Sequence, residues 1–499
     1  MTSGPAGASV HELAALVAGG EVSSVELVER AYARIGAGNG AVNAVVALRD
    51  AEEALAEAAA LDGVVRDGER LGPLAGVPFL VKDAQDLAGM RTTQGSLLLS
   101  DAPLAARDAL NVARLRAAGA IPVGKTNVPE FCFEGFTDNR LFGATKNPWA
   151  PEWSPGGSSG GSAAAMAAGF IPIATATDGG GSIRIPAAFC GLYGLKPTNG
   201  LLARDPVPSW LDFTTDGPLA LSIADLRLLL AVEAGPAAGD PSALPADAAA
   251  AVLAGAVSTR LARSAPGEAA VAAPGSPARP SVVYAAPRLI DWGPLPASIA
   301  DRFAAALASL ETDLDMHVEP LEPARIFGEG NADEDWFLTG ACEQARALGR
   351  EYIEQAADRL SPVFLAAMRL GLEVTLDQYL AARRHRFAYA RALDDLLCAD
   401  AVLVTPTMPV AGFLADGREV GAESPGTKAS SYNTQVQNIT GHPALTVPAG
   451  MSPNGVPFGL QFTGPRFADA LVLEVGEAWE LAHAAIVVAP GFEAFWPAG

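Results

Sequence analysis

Cysteine is scarce in this chain. The four thiols, Cys132, Cys190, Cys342 and Cys398, are scattered, with no CxxC pair and no metal-ligand spacing, and read as buried or idle side chains. Long apolar runs are missing too: no stretch reaches the ~18 uninterrupted apolar residues of a membrane helix. The first twenty residues show no basic leader ahead of an apolar core, so a soluble, cytoplasmic protein with no membrane partner is expected. Positive charge is in short supply. Lys and Arg number 34 against 56 Asp and Glu, and the net charge of -22 argues against a nucleic-acid partner, whose phosphates it would repel. No acidic run concentrates that charge, so it reads first as a solubility device, and a small neutral or cationic ligand is easier to admit.

Half of the 499 residues are apolar and 18% are charged, a composition that buries a sizeable core. "SVHE" at Ser9–Glu12 and "SSVE" at Ser23–Glu26 each place glutamate three residues after serine, the reciprocal capping pattern, so residues 1–70 read as N-terminal helices, the third over about 51–60. From 72 to 232 short apolar runs alternate with helical stretches: "VPFLV" at 77–81, "AIPVG" at 120–124, "IPIATAT" at 171–177 and "GLYGL" at 191–195. Runs on this scale suit buried, largely parallel strands. Residues 234–280 are a low-complexity Ala/Pro/Gly excursion on the surface. The strand "SVVYAA" follows, then a mostly helical region at 298–400, and strands within 401–499 ("AVLVTP", "ALTVPAG", "FGLQFTG") that complete the sheet late. The fold expected is α/β: a single large domain with a mixed, mostly parallel, twisted central sheet and helices on both faces.

The chemistry concentrates around "GGSSGGSAAAMAAGF" at 156–170. As a flexible linker this run should be flanked by nothing in particular, yet it leads into a helix of small residues and then a strand. It therefore reads as the loop before a helix N-terminus, where backbone N–H groups and the helix dipole favour negative charge. If that helix and a seven-residue strand over 171–177 pack antiparallel, Ser158 and Ser182 return to the same edge, at the carboxyl end of a strand. In "DGGGSIR" at 178–184 the glycines allow the N–H groups of Gly179, Gly180, Gly181 and Ser182 to converge as an oxyanion hole; an ordinary turn is the plainer reading. A serine nucleophile needs a base. The five histidines (His11, His317, His385, His442, His483) are all distant in sequence, and lysine occurs only at Lys82, Lys125, Lys146, Lys196 and Lys428. Lys82 ends the run "VPFLV", at the same sheet edge as the two serines. Buried there it titrates low enough to serve as a base; exposed, it is a solvated strand-end lysine.

Taken together, these segments resemble the amidase signature family. The resemblance runs from "GGSSGGSAAAMAAGF" through "IPIATATDGGGSIRIPA", and is supported by "GPLAGVPFLVKD", "GKTNVPEF", "CGLYGLKPTNG", "DGPLALSIADLRLLL", "QNITGHPALTVPAG" and "GVPFGLQFTG". It covers most of the chain and is weakest at 234–280 and 298–398. It implies that Ser182 is the acylating nucleophile, Ser158 a bridging serine after a cis peptide bond from Gly157, and Lys82 the base that takes a proton through Ser158. Ser159 supports the loop, and Asp178 and Arg184 brace the two glycine loops. Gly179 stands where many relatives carry threonine or a larger residue.

The reading is therefore a hydrolase of linear amides with side activity on esters and carbamates, needing no metal and no organic cofactor, acting as a monomer or homodimer. Two rivals remain. One is the glutaminase/amidase subunit of a transamidation complex acting on transfer RNA. The other is an α/β-hydrolase-type esterase, because "GGSSG" formally fits GxSxG around Ser158, although "NPWAPEWSP" is a poor strand before such an elbow. The substrate pocket is expected from 129–136 and 331–400, with Trp336, Phe337, Tyr352 and Phe364 as aromatic candidates. Such a pocket favours an aryl or alkyl amide.

Overall fold

The structure, a computed structural model, describes residues 7–256, 280–290, 294–322, 327, 330–398, 400–418, 433–483 and 488–497. The two N-terminal helices, Val10–Ala18 and Ser24–Val42, both begin with the reciprocal cap read from the sequence: the N–H of Glu12 donates to Ser9 Oγ, and Glu12 accepts from the N–H of Ser9. The third helix runs further than expected, over Ala51–Arg66. Asp50 caps its first turn, and the sequence up to Arg66 holds no proline to stop it.

Among the described residues the strands in chain order are β1 Val45–Leu48, β2 Pro78–Lys82, β3 Ile121–Thr126, β4 Ile173–Ala174, β5 Thr177–Asp178, β6 Tyr193–Lys196 and β7 Thr215–Asp216, then β8 Leu219–Ala220, β9 Val283–Ala285, β10 Val318–Pro320, β11 Val402–Pro406, β12 Ala444–Met451 and β13 Pro457–Thr463. They form a four-stranded sheet β1-β3-β2-β4, a seven-stranded sheet β10-β9-β11-β13-β12-β6-β8 and the ribbon β5-β7. The α/β class and the mixed sheet are as expected. The finer topology differs: the described residues form three sheets in place of one, and among them β2–β3, β2–β4, β9–β10 and β9–β11 pair in parallel while the other strand pairs are antiparallel. The larger sheet is mainly antiparallel: β12 and β13 meet through a short connection that reverses the chain, and β6–β8, β6–β12 and β11–β13 pair antiparallel across longer ones. The two larger sheets abut at β4 and β8, where the N–H of Gly217 donates to Ala176 O at 3.3 Å. That junction lies beside the serine and glycine loops.

The run 171–177 is not the single strand that was expected. The N–H of Thr175 bonds to Leu80 O, and Ala176 O is taken by Gly217, so β4 stays with β2 while β5 turns away to pair with β7. Ahead of it, every residue of the helix Gly160–Ala167 is buried. Its composition has a packing cause: a Cβ on Gly161 would stand 2.4 Å from the backbone nitrogen of Asn127, just after β3. Only small residues allow that approach.

One core cluster joins the N-terminal helices, β1–β4 and the small-residue helix; a second joins β6, β9 and β11–β13 to the helices Ile223–Glu233, Ala297–Thr312 and Asp469–Ala482. In the low-complexity excursion a helix spans Ala246–Leu253, and residues 257–279 lie outside the described residues. Within the region 298–400 the described residues form the helices Ala297–Thr312, Ala332–Leu348, Arg350–Gln355, Pro362–Glu373 and Leu376–Leu397, together with β10. Two smaller clusters tie it to the loops at 131–133 and 210–213.

Candidate active site

β2 delivers Lys82 as its last residue, in register with Thr126 of β3 and completely buried. Its Nζ lies 2.8 Å from Ser158 Oγ, 2.8 Å from Ser159 Oγ and 2.7 Å from Thr177 Oγ1. Among the described residues no carboxylate stands within ion-pair distance of it. Lys125, equally buried on the neighbouring strand, differs: its Nζ sits 3.3 Å from Asp83. Burial pushes Lys82 below the ordinary lysine range, and the counteracting fields of Cys132, Asp178 and Asp216 act without direct contact.

Ser158 follows a cis peptide bond from Gly157. A Cβ on Gly157 would meet the carbonyl oxygens of Phe136 and Glu134 at 2.4 and 2.7 Å. Ser159 occupies the N-cap of the helix Gly160–Ala167 without capping it, its hydroxyl being turned to Lys82 and Thr177. The N–H of Ser159 donates to Ser182 O at 3.2 Å, which brings the second loop alongside the first. Ser158 and Ser182 line the same cavity, of about 340 Å³, so the shared edge inferred for them is present.

In the loop 178–184, the carboxylate of Asp178 accepts from Gly181 N–H at 2.7 Å, Ile183 N–H at 3.2 Å and Asn438 Nδ2 at 2.9 Å. It also receives a two-pronged contact from Arg184, at 2.9 Å from Nε and 2.8 Å from Nη2. Burial alone would raise its pKa, but the Arg184 guanidinium outweighs burial and holds it down at about 2. The oxyanion-hole expectation needs one correction. Gly181 N–H is spent on Asp178, and Gly181 is not part of the cavity wall, whereas Gly179, Gly180 and Ser182 are. The N–H groups of those three have no hydrogen-bond partner among the described residues.

Phe131, Phe133, Trp210 and Trp336 supply the aromatic wall. Of the candidates from the helical region only Trp336 lines the cavity: Phe364 is buried against Phe131 and Phe133, while Phe337 and Tyr352 are exposed. Trp210, Thr177, Thr434 and Asn438 were not singled out from the sequence. Asn438 falls within the quoted run "QNITG" and Thr177 ends "IPIATAT", but no local pattern marks Trp210 or Thr434. Of the three carboxyls in the wall, Asp205, Glu134 and Asp216, burial raises Glu134 to about 7 and Asp216 to about 6. No histidine lines this cavity, and no strand lies between β3 and Ser158, which removes the nucleophile-elbow reading. Among the described residues no group of three or more His, Cys, Asp or Glu could share a metal ion, and no helix is long and apolar enough to cross a membrane.

An α/β protein with a buried lysine among hydroxyls and a loop of unpaired N–H groups has the elements of a serine acyl-transfer site. The family model described as Amidase matches residues 26–473. The chain is 33% identical over 480 residues to an acylamidase of Rhodococcus erythropolis, covering 95% of this chain and 94% of that one. It is also 33% identical to one of the subunits of a glutamyl-tRNA(Gln) amidotransferase of Synechococcus sp. (strain CC9605), over 93% and 94% of the two chains. Among solved structures, a bacterial aryl acylamidase of the amidase signature enzymes superimposes with a TM-score of 0.82 at 27% identity, covering 96% of this chain and 97% of that one. The chain belongs to the amidase signature family and is an amide-cleaving hydrolase.

The glycine loop can be tested by substitution. A methyl on Gly179 would meet Thr214 Oγ1 at 3.1 Å and the Trp210 ring at 3.4 Å, close but yielding contacts, whereas on Gly180 it would strike the Trp336 ring at 2.3 Å and on Gly181 Thr434 Oγ1 at 2.3 Å. Gly179→Ala should keep amidase activity within about threefold, while Gly180→Ala and Gly181→Ala lose more than about tenfold in kcat/KM. A second test concerns pH. Burial raises Glu134 to about 7, Asp216 to about 6 and Glu233 to about 8, so the folded chain holds protons that the unfolded chain has released. Stability from these groups is full at low pH and lost as pH rises through their folded values. Asp178, held at about 2, has the opposite sign: its contribution is present above the unfolded value of 3.8 and lost on acidification. Lys196, lowered by burial to about 7, returns some stability only above that pH. The melting temperature should therefore peak near pH ~4, where Asp178 is already ionised and the raised carboxyls still largely hold their protons in both states, and fall toward pH ~7, with a shallower fall in Glu134→Gln. A melting temperature that climbs between those two values would contradict the assignment.

Proposed function

We propose that the chain hydrolyses linear amides through an acyl-enzyme on Ser182, with Ser158 and Lys82 relaying the proton. The observation carrying this reading is the environment of Lys82: a buried amine surrounded by the hydroxyls of Ser158, Ser159 and Thr177, with burial favouring its neutral form. Ser182 Oγ attacks the carbonyl carbon and its proton passes to Ser158 Oγ, while the Ser158 proton passes to Lys82 Nζ. Negative charge gathers on the carbonyl oxygen, toward the N–H groups of Gly179, Gly180 and Ser182. The relay then runs backwards, giving the proton to the leaving nitrogen as the C–N bond breaks. Water repeats the sequence on the acyl-enzyme, releasing the acid and restoring Ser182.

The wall of Phe131, Phe133, Trp210 and Trp336 supports a hydrophobic acyl or amine portion, so aryl and alkyl amides are the proposed substrates. Esters and carbamates offer the same carbonyl and are proposed as side substrates. The enzyme is proposed to work in the cytoplasm, as a monomer or homodimer, on small molecules. The likeness to a glutamyl-tRNA(Gln) amidotransferase supports a second reading, as the amidase component of a transamidation complex. The charge of -22 disfavours it, since a partner carrying transfer RNA would bring more negative charge.

Ser182→Ala and Lys82→Ala should each lower kcat/KM on a p-nitroanilide by about a thousandfold or more. A fluorophosphonate should label Ser182, read by peptide mass spectrometry. Activity surviving Lys82→Ala, or label on Ser158, would overturn the relay. The purified chain alone should release amine from p-nitroanilides faster than from short aliphatic amides. Release only after a partner is added would favour the transamidation reading.

A further inference from the structure

The four peptide units between Asp178 and Ser182 are anchored one by one, from different parts of the chain. The carbonyl of Asp178 accepts from Asn438 Nδ2 at 2.9 Å, that of Gly179 from Trp336 Nε1 at 2.8 Å, that of Gly180 from Thr434 Oγ1 at 2.6 Å and that of Gly181 from Ile185 N–H at 2.7 Å. None of these units is among the cis bonds of the structure, Gly157–Ser158 and Asp205–Pro206. In a trans peptide the N–H points opposite to the carbonyl it is bonded with. Holding a carbonyl therefore aims the next residue's N–H the other way. The Gly180–Gly181 unit is consumed at both ends, since its N–H goes to Asp178. The other three units each combine an anchored carbonyl with an unpaired N–H.

Of the three, the Gly179–Gly180 unit depends most on its anchor. Both flanking residues lack a Cβ, so its plane is the freest of these three to rotate. Among the side chains that act as anchors, Asn438, Trp336 and Thr434, only Trp336 forms part of the cavity wall. Trp336 lies on the helix Ala332–Leu348, and its own setting is rigid: its ring meets Trp210 edge-on at 5.1 Å, and Trp210 rests on Gly340, one turn further along that helix, where a Cβ would stand 3.0 Å from the indole. The Trp336 ring covers Gly180 so closely that no side chain fits between them.

We propose that Trp336 is a positioning residue for amide hydrolysis: its indole N–H, by holding the Gly179 carbonyl, turns the Gly180 N–H toward the oxygen of the substrate carbonyl. The proposal rests on the Ser182 acyl-enzyme reading and adds a residue from the helical region to it. Trp336 does not touch the reacting atoms. Its ring shapes the substrate wall, while its N–H sets a donor that matters most once the oxygen carries charge. The two functions are separable, because phenylalanine keeps much of the ring and removes the donor.

The test is Trp336→Phe assayed on an anilide. The expected result is a fall of about tenfold in kcat with KM within about twofold. Affinity for a trifluoromethyl ketone that mimics the tetrahedral adduct should fall in parallel with kcat/KM, and affinity for the product acid should hold. Trp336→Ala should in addition raise KM. If Trp336→Phe melts below the assay temperature, Gly180→Ala serves instead: its methyl displaces the ring and should give the same kcat-selective loss. An unchanged kcat in Trp336→Phe, or a loss confined to KM, overturns the proposal. Ser182→Ala and Lys82→Ala are assayed alongside: if they stay active the acyl-enzyme reading fails, and if they are inactive while Trp336→Phe keeps its kcat, only the role of Trp336 fails.

Discussion

The rest of the site depends on the ion pair between Asp178 and Arg184, both fully buried. A guanidinium has five N–H donors, and here all five are used: two on Asp178, two on Gln437 and Gln461 through Nη1, and one on Asn438. The carboxylate is as fully occupied, by Arg184, Asn438 and the N–H groups of Gly181 and Ile183. Such a pair is weak evidence for stability in itself, because desolvating both charges offsets most of their attraction. Its effect is on geometry. Gln437 and Asn438 lie on the helix Gln435–Thr440 and Gln461 on β13, so the loop bearing Ser182 is fastened to the C-terminal part of the chain. Removing one partner strands a buried charge, at a cost of about 3–5 kcal/mol.

The two buried lysines of the smaller sheet show how surroundings, not burial alone, divide structural from chemical roles. Lys125 faces Asp83 and also donates to Gln85 O at 2.7 Å, partners that suit an ammonium ion. Lys82, on the adjacent strand, faces three hydroxyls, which accept from an ammonium or donate to an amine equally well. Hydroxyls therefore keep Lys82 hydrogen-bonded in either protonation state, while the absence of an adjacent carboxylate among the described residues leaves burial free to favour the neutral one. The ambivalence of serine and threonine as partners is what makes a lysine usable as a base in a dry interior.

Where one local rule decided the outcome, the sequence was legible. The Ser9/Glu12 and Ser23/Glu26 caps, the placement of Lys82 at the carboxyl end of β2, and the return of Ser182 to the edge of Ser158 all follow from spacing and periodicity, whereas the burial of Lys82 was left open. The unbroken strand at 171–177 failed because its hydrogen bonds are shared among three neighbours, Leu80, Gly217 and β7, that lie far off along the chain. The mostly parallel sheet failed for a related reason. Apolar runs report burial on both faces but carry no information about strand direction. The Gly181 N–H could not be excluded as an oxyanion donor from "DGGGS" alone, because the competing acceptor, Asp178, is exposed as a competitor only once the loop is folded back on it.

Trp336 was legible as a pocket aromatic, but its hold on the Gly179 carbonyl, like Thr434 and Trp210, was not, for a deeper reason that also bears on how the loop is ordered. Three consecutive glycines give the backbone freedom to approach a substrate, yet the same freedom leaves them unable to hold any one orientation. The order they lack is supplied through carbonyl anchors from the helix Gln435–Thr440, from Thr434 just before it, from the helix Ala332–Leu348 and from the turn at Ile185. An anchor needs only a donor at the right place in space, so indole, hydroxyl, amide and backbone N–H all serve, and no residue type or spacing marks them in sequence. One of these anchors, the indole, also forms the aromatic wall of the cavity. A change in the helical region that reshapes that wall therefore also shifts a carbonyl anchor of the glycine loop, so under the proposed mechanism specificity and rate are coupled through a single side chain.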